Sequence, residues 1–244
     1  MDQITELIAE GKGKRLYATE NPDEAVVYYR DETFAFHGLK RGRIIGKGEI
    51  NNLICEYMFT LLKDKGVPNH FIRRIDNRCS LVKRVEIIPV TVKVRNIVAG
   101  SLAKRIGYPD GTRLKNTVLE YCLKDPELED PLVNLTHITA MSLATPEEIK
   151  RMEELSLRVN EIVSGCMAEI NIELIDFKLE FGRYKGQILL ADEVSPDTCR
   201  FWDARTHEPL DIDRFRHDLG DVEEAYREVL HRLTGNVLKN TEEE

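Results

Sequence analysis

Asp176, Lys178 and Glu180 alternate with Ile175, Phe177, Leu179 and Phe181, the period-two pattern of a strand that turns charge to one side and apolar bulk to the other. Such a charged face is either plain solvent-facing edge or a place where carboxylates hold a divalent cation for phosphate chemistry. Further on, Gln187-Ile188-Leu189-Leu190-Ala191-Asp192-Glu193 is an apolar run that ends in an acid, as a buried strand delivering a carboxylate to a cleft would. Hard cations such as Mg²⁺ take oxygen ligands, often only one or two carboxylates, with phosphates and water completing the shell. Glu180 and Asp192 are the candidate pair. Opposed residues of a hairpin share a face, so Asp192 joins Glu180 only if the loop has an odd number of residues, such as Arg183-Tyr184-Lys185; an even loop brings Glu193 there instead.

Other stretches could handle anions. In Gly11-Lys12-Gly13-Lys14 the glycines let backbone approach a phosphate and the lysines supply point charges; a solvated turn is the alternative. In Pro89-Val90-Thr91-Val92-Lys93-Val94-Arg95-Asn96, alternation puts Thr91, Lys93 and Arg95 on one face, and Ser101 opens a short helix at 101–106. An arginine fork, a serine hydroxyl and a helix start together suit a phosphate, or else make an edge strand and an ordinary cap. Arg200 leaves the Ser195-Pro196-Asp197 turn beside the single tryptophan, Trp202, and a turn-stabilising ion pair would also account for it. Gly46-Lys47 lacks the earlier glycine and the following Ser or Thr of a P-loop, and Gly11-x-Gly13 lacks the third glycine of a dinucleotide fingerprint. His37, His70 and His137 have no neighbours at metal-ligand spacing and receive no catalytic duty.

These groups need elements to position them. A chain of 244 residues, 42% hydrophobic and 32% charged, is an ordinary globular composition with ample length for a core. Its net charge of −8 argues against a nucleic-acid-binding surface. The cysteines (55, 79, 122, 166, 199) are odd in number and form no C-x-x-C pair, so neither a disulfide framework nor a structural zinc is expected. No signal-peptide pattern or bilayer-length apolar run is present, which predicts a cytoplasmic protein without membrane association.

The pattern predicts an amphipathic helix over 2–10, strands near 24–29, 71–75, 80–85 and 90–94, and a helix over 49–65 stopped by Gly66 and Pro68. The segment 110–131 reads as acidic loop. Thr145-Pro146-Glu147-Glu148 opens a helix reaching residue 169, with a capping box and proline at the first position. A last helix starts at Asp221 and stops at Gly235. Mixed strands and helices without regular alternation give an α+β fold with a boundary near 86–89.

The runs Asp176-Phe177-Lys178-Leu179-Glu180-Phe181-Gly182, Ala191-Asp192-Glu193-Val194-Ser195-Pro196-Asp197-Thr198-Cys199-Arg200, Val94-Arg95-Asn96 through Ala99-Gly100-Ser101-Leu102, and Gly11-Lys12-Gly13-Lys14 closely resemble the SAICAR synthetase family, in order and spacing over nearly the whole chain. The resemblance implies a Mg²⁺- and ATP-dependent ligase that joins L-aspartate to the carboxylate of an aminoimidazole ribonucleotide (CAIR). It implies a smaller β-rich nucleotide-gripping domain (1–86) on a larger α+β domain (87–244), with ATP between them, and a homo-oligomer, expected to be a dimer. By that likeness Lys12 and Lys14 touch ATP phosphates, Glu86 and Ile87 meet adenine, and Glu180 and Asp192 hold Mg²⁺. Arg95, Ser101 and Arg200 bind the ribonucleotide phosphate, Lys178 lies close to the transferring phosphoryl group, and Asp130 and Asp176 lie near the substrate pocket.

The chain departs from that family where Thr33-Phe34-Ala35-Phe36-His37-Gly38 stands in place of a small, glycine-containing stretch and where Leu135 replaces a glutamate. These changes leave open a same-fold ligase for a different carboxylate or amine. A nucleotide-binding protein without turnover is the third reading. It has no chemical reason to keep Lys178, Glu180, Asp192 and Arg200 together.

Overall fold

The computed structural model describes residues 4–35 and 38–240; Phe36 and His37 of the departing stretch and the acidic tail lie outside them. The chain opens with strands β1 (Ile4–Glu10), β2 (Lys14–Thr19), β3 (Glu24–Tyr29), β4 (Glu32–Ala35) and β5 (Lys40–Arg43). Helix α1 (Lys47–Asp64), β6 (Phe71–Arg74) and β7 (Cys79–Lys83) follow. β1, β2, β3, β7 and β6 form, in that order, a five-stranded sheet, and β4 pairs with β5 in a separate hairpin. A second sheet begins at β8 (Glu86–Ile97) and continues, past α2 (Ser101–Ile106), with β9 (Arg113–Leu123) and β10 (Leu132–Val133). After α3 (Leu135–Ala140) and α4 (Pro146–Glu169) come β11 (Ile172–Tyr184), β12 (Gln187–Ala191) and β13 (Cys199–Asp203). Its order is β10-β9-β8-β11-β12, with β13 sharing the β12 edge of β11. Helices α5 (Asp213–Arg216) and α6 (Val222–Asn240) complete the chain.

The fold is α+β, with all named strand pairs antiparallel. The first sheet uses only residues before β8 and the second only residues from β8 onward.

The second sheet separates charge from apolar bulk. On one face Val90, Val92 and Val94 of β8 and Phe177, Leu179 and Phe181 of β11 join Met152, Leu155, Val159 and Val163 of α4 in one buried cluster. Helix α4 forms where expected: Thr145 accepts from the Glu148 N–H, Glu148 reciprocates, and Pro146 occupies the first turn. The apolar cluster also takes in Ile54, Met58 and Leu62 of α1 and Tyr226 and Val229 of α6, so one core underlies both sheets. Backbone bonds sew the sheets together, from the His70 N–H to Leu190 O at 2.9 Å and from the Leu190 N–H to Pro68 O at 3.0 Å.

Four expectations fail here. Residues 4–10 pair with β2 as a mostly exposed edge strand rather than forming a helix, because a cross-strand partner outweighs the helix preference of its Leu, Ala and Glu residues. The acidic segment 110–131 contains an eleven-residue strand, β9, held against β8. Residues 86–89 are the start of β8, Pro89 included, rather than a break between two strands. Gly235 keeps helical backbone and α6 runs on to Asn240.

Gly182 makes the crossing between the sheets close. A Cβ there would lie 2.4 Å from a Val85 methyl and 3.2 Å from the Glu86 carbonyl. Gly182→Ala is therefore expected to destabilise the protein by about 1–3 kcal/mol through overpacking, measured as a lower urea midpoint with unchanged slope.

Candidate active site

Register puts the charged rows of two strands side by side. Asp176 lies opposite Arg95, Lys178 opposite Lys93, and Glu180 opposite Thr91, so the charged residues of β11 and the row Thr91-Lys93-Arg95 share a face. β8 is thus an interior strand and its cations are not an exposed edge.

At one end of this row, Asp176 Oδ2 accepts from both Arg95, at 2.5 Å, and Arg200, at 2.6 Å. Arg95 also donates to Glu120 at 3.0 Å and to Ser101 Oγ at 3.3 Å. Arg200 is held on its other side by Asp213 at 2.5 Å. Gly100 allows this packing, since a Cβ there would lie 2.9 Å from Arg200 Nη2. The predicted phosphate-binding residues Arg95, Ser101 and Arg200 are therefore together, with Asp176 between the guanidinium groups.

At the other end the acids meet lysines. Glu180 pairs with Lys124. Lys14 pairs with Asp192 and, at 2.7 Å, with Glu193. The hairpin turn is the two-residue Lys185-Gly186, an even loop, and Ala191 stands opposite Glu180. Parity alone would send Asp192 away. Its backbone turns left-handed at φ 60°, ending the strand and breaking the alternation, so Asp192 and Glu193 both reach Lys14. A non-glycine residue at positive φ carries strain that surrounding contacts must outweigh, and the ion pair is one such contact.

Burial works against charge on Lys14, Lys178 and Asp192, and the opposite charges prevail. Lys14 stays protonated because Asp192 and Glu193 outweigh its desolvation. Lys178 is likewise held above the ordinary lysine value by Asp192 and Glu180. The Asp192 carboxyl is kept well below the usual range by Lys14 and then Lys178, against burial. Lys178 thus stands among the acids.

The remaining predicted residues are placed differently. Lys12 is exposed at the tip of the glycine turn. Glu86 is exposed and pairs with Arg183 at 2.9 Å, and Ile87 stands opposite Gly182. Asp130 is bound into its own loop, accepting from the Asp125 N–H at 3.0 Å. His70 is buried against Phe59, which pushes it down to about 4, and His137 caps α3. Sequence reasoning missed Lys124, which sits in the segment read as loop, and Lys47, considered only as part of a P-loop. It also admitted Glu193 only in place of Asp192 and only for an even hairpin loop, whereas both acids pair with Lys14.

A cavity of about 240 Å³ lined by Arg15, Tyr28, Arg30, Asp31, Glu32, Arg43 and Arg78 lies apart from these groups. Arg15 follows Lys14 on β2 and so faces the other way. The arginines there are paired with Glu10, Asp31 and Glu32.

The SAICAR synthetase family model matches residues 7–233, and the chain belongs to that family. Phosphoribosylaminoimidazole-succinocarboxamide synthase of Persephonella marina is 52% identical over 93% of this chain and 96% of its own, and that of Brevibacillus brevis is 53% identical over 95% and 98%. Among solved structures, the Ehrlichia chaffeensis phosphoribosylaminoimidazole-succinocarboxamide synthase superposes with a TM-score of 0.93 at 43% identity, covering 94% of this chain and 98% of that one. A SAICAR synthetase in complex with ADP gives 0.92 at 43% identity with the same coverage.

Asp213 supplies a pH test of the arginine cluster. Burial raises its pKa, but Arg200 and Arg216 prevail and lower it from 3.8 to about 2. A carboxylate depressed by folding stabilises above its unfolded value and loses that contribution as pH falls through the folded value. Between pH 4 and pH 2 the urea midpoint of the wild type is thus expected to fall more steeply than that of Asp213→Asn.

Proposed function

We propose that this chain catalyses the ATP- and Mg²⁺-dependent ligation of L-aspartate to the carboxylate of CAIR, giving SAICAR, ADP and phosphate, in the cytoplasm. The family supports this reading, and one observation carries it at the level of residues: a single strand face with an arginine–serine cluster at Asp176 and a lysine–carboxylate cluster at Glu180. Four residues of strand separate these ends by about 13 Å, comparable to the reach of a ribonucleotide from its phosphate to a carboxylate on its base. The substrate phosphate would bind Arg95, Ser101 and Arg200, leaving its carboxylate near Lys178 and the ATP phosphates held by Lys14 and Lys12.

A carboxylate is a poor electrophile, so phosphoryl transfer from ATP must first convert it to an acyl phosphate; attack by the aspartate amine then expels phosphate. Such transfer needs positioning and charge neutralisation more than a protein nucleophile, which suits lysines and carboxylates without an activated serine or cysteine. The oxygen donors of Glu180 and Asp192 fit Mg²⁺, a cation that commonly takes one or two carboxylates plus phosphates. When bound there it would offset the charge of the triphosphate. Lys14 and Lys124, which now neutralise these acids, would turn to phosphate oxygens. Asp176 would orient the arginine forks, while Glu86 and Ile87 at the crossing would border the adenine. We assign Asp130 a supporting role at the edge of the substrate pocket, through the loop that follows Lys124.

ADP release measured with CAIR and aspartate, each omitted in turn, tests the reaction: turnover is expected to require both, and release with other amines instead would refute the assignment of aspartate. Glu180→Ala or Asp192→Ala is expected to lower kcat at least about 100-fold with a retained circular dichroism spectrum; near-normal rates would exclude the cation site. Arg95→Ala is expected to raise the apparent KM for the ribonucleotide at least about tenfold, with the KM for ATP little changed.

A further inference from the structure

A continuous chain of hydrogen bonds reaches Lys14 from helices α1 and α6. Lys47, in the first turn of α1 and only 1% exposed, pairs with Asp197 Oδ2 at 2.6 Å. Tyr226 of α6 donates its hydroxyl to Asp197 Oδ1 at 2.6 Å. The Asp197 N–H donates to Ser195 Oγ at 3.2 Å, and the Ser195 hydroxyl donates to Glu193 Oε2 at 2.7 Å. Glu193 Oε1 then takes Lys14 at 2.7 Å. The glycine turn rests on the same groups: a Cβ at Gly13 would lie 3.4 Å from Asp197 Oδ2 and 3.5 Å from Lys47 Nζ.

A buried lysine–aspartate pair costs desolvation that its attraction only partly offsets, so it is weak evidence for stability and better evidence for a fixed arrangement. Here the arrangement fixed is the offset between the Gly13-Lys14 turn of the first sheet and the Asp192-Glu193 corner of the second. Both oxygens of Asp197 are engaged from different elements, α1 and α6, which leaves it one orientation. Lys47 and Tyr226 are too deeply buried to touch a ligand themselves.

We propose that Lys47, Asp197 and Tyr226 are positioning residues for the nucleotide: through Ser195 and Glu193 they hold Lys14 where it meets the ATP phosphates. This rests on the reading of Lys14 as a phosphate ligand. The C-terminal helix, remote in sequence from the glycine turn, thereby sets nucleotide affinity without contacting nucleotide, and the arginine end of the site stands outside the chain of bonds.

The test is calorimetric titration of ADP into the wild type, Tyr226→Phe, Ser195→Ala and the double variant, with thermal unfolding of each. Tyr226→Phe keeps the ring and loses only the donor to a charged acceptor, so ADP affinity is expected to fall roughly tenfold. Because both substitutions interrupt one chain, the double variant is expected to lose less than the product of the single losses. In turnover assays the KM for ATP rises while the KM for the ribonucleotide stays within about twofold. A purely structural role would lower the melting temperature and leave the affinity of the folded protein intact. ADP affinity of folded Tyr226→Phe within about twofold of wild type, or full additivity in the double variant, overturns the proposal. ADP binding needs no turnover, so an inactive wild type would count against the ligase assignment alone.

Discussion

The pairing of Lys14 with Asp192 and Glu193 spans 178 residues of sequence and joins the first sheet to the second at the point where chemistry is proposed. Everything else in the architecture can be seen as holding its two sides in place. β2 supplies the lysine immediately after a turn that glycine keeps thin. β12 supplies the acids immediately after an apolar run anchors it in the core. The left-handed backbone at Asp192 is tolerated because the strand before it is buried and the cation beyond it is fixed.

The second organising constraint is the central position of β11. Flanked by β8 on one edge and by β12 and β13 on the other, it cannot shift register without moving Phe177, Leu179 and Phe181 out of the core. The same constraint that packs α4 against the sheet therefore keeps Asp176, Lys178 and Glu180 in line on the opposite face. Stability and site geometry come from one alternation, and the apolar half of it is what makes the charged half precise.

Much of this was legible in sequence where pattern and chemistry agree. The alternation in β11, the capping box at Thr145 and the serine at the start of α2 depend on short-range rules that tertiary context did not override. Arg95 and Ser101 could be grouped from the strand and the helix start that follows it, whereas adding Arg200 needed the family resemblance, since it comes from a distant segment. What escaped reading depended on partners distant in sequence. β1 is a strand because β2 lies beside it; β9 hides among acids and prolines but is held by β8; and Lys124 came into the site with it. The Asp192 corner was misjudged in register because alternation holds only while the backbone stays extended, and no residue type at 192 announces a left-handed turn. Lys47 and Asp197 were each noticed for the wrong reason, one as a failed P-loop and the other as a turn former, since nothing local shows that they meet.

The backbone bonds from His70 and Pro68 to Leu190 carry a mechanical consequence. They stitch the two sheets along one border, where separation would strand amide and carbonyl groups without partners. Opening of the two sheets along that border is therefore costly. The glycine turn is moored beside the same border, because Leu190 lies just before the acids that take Lys14.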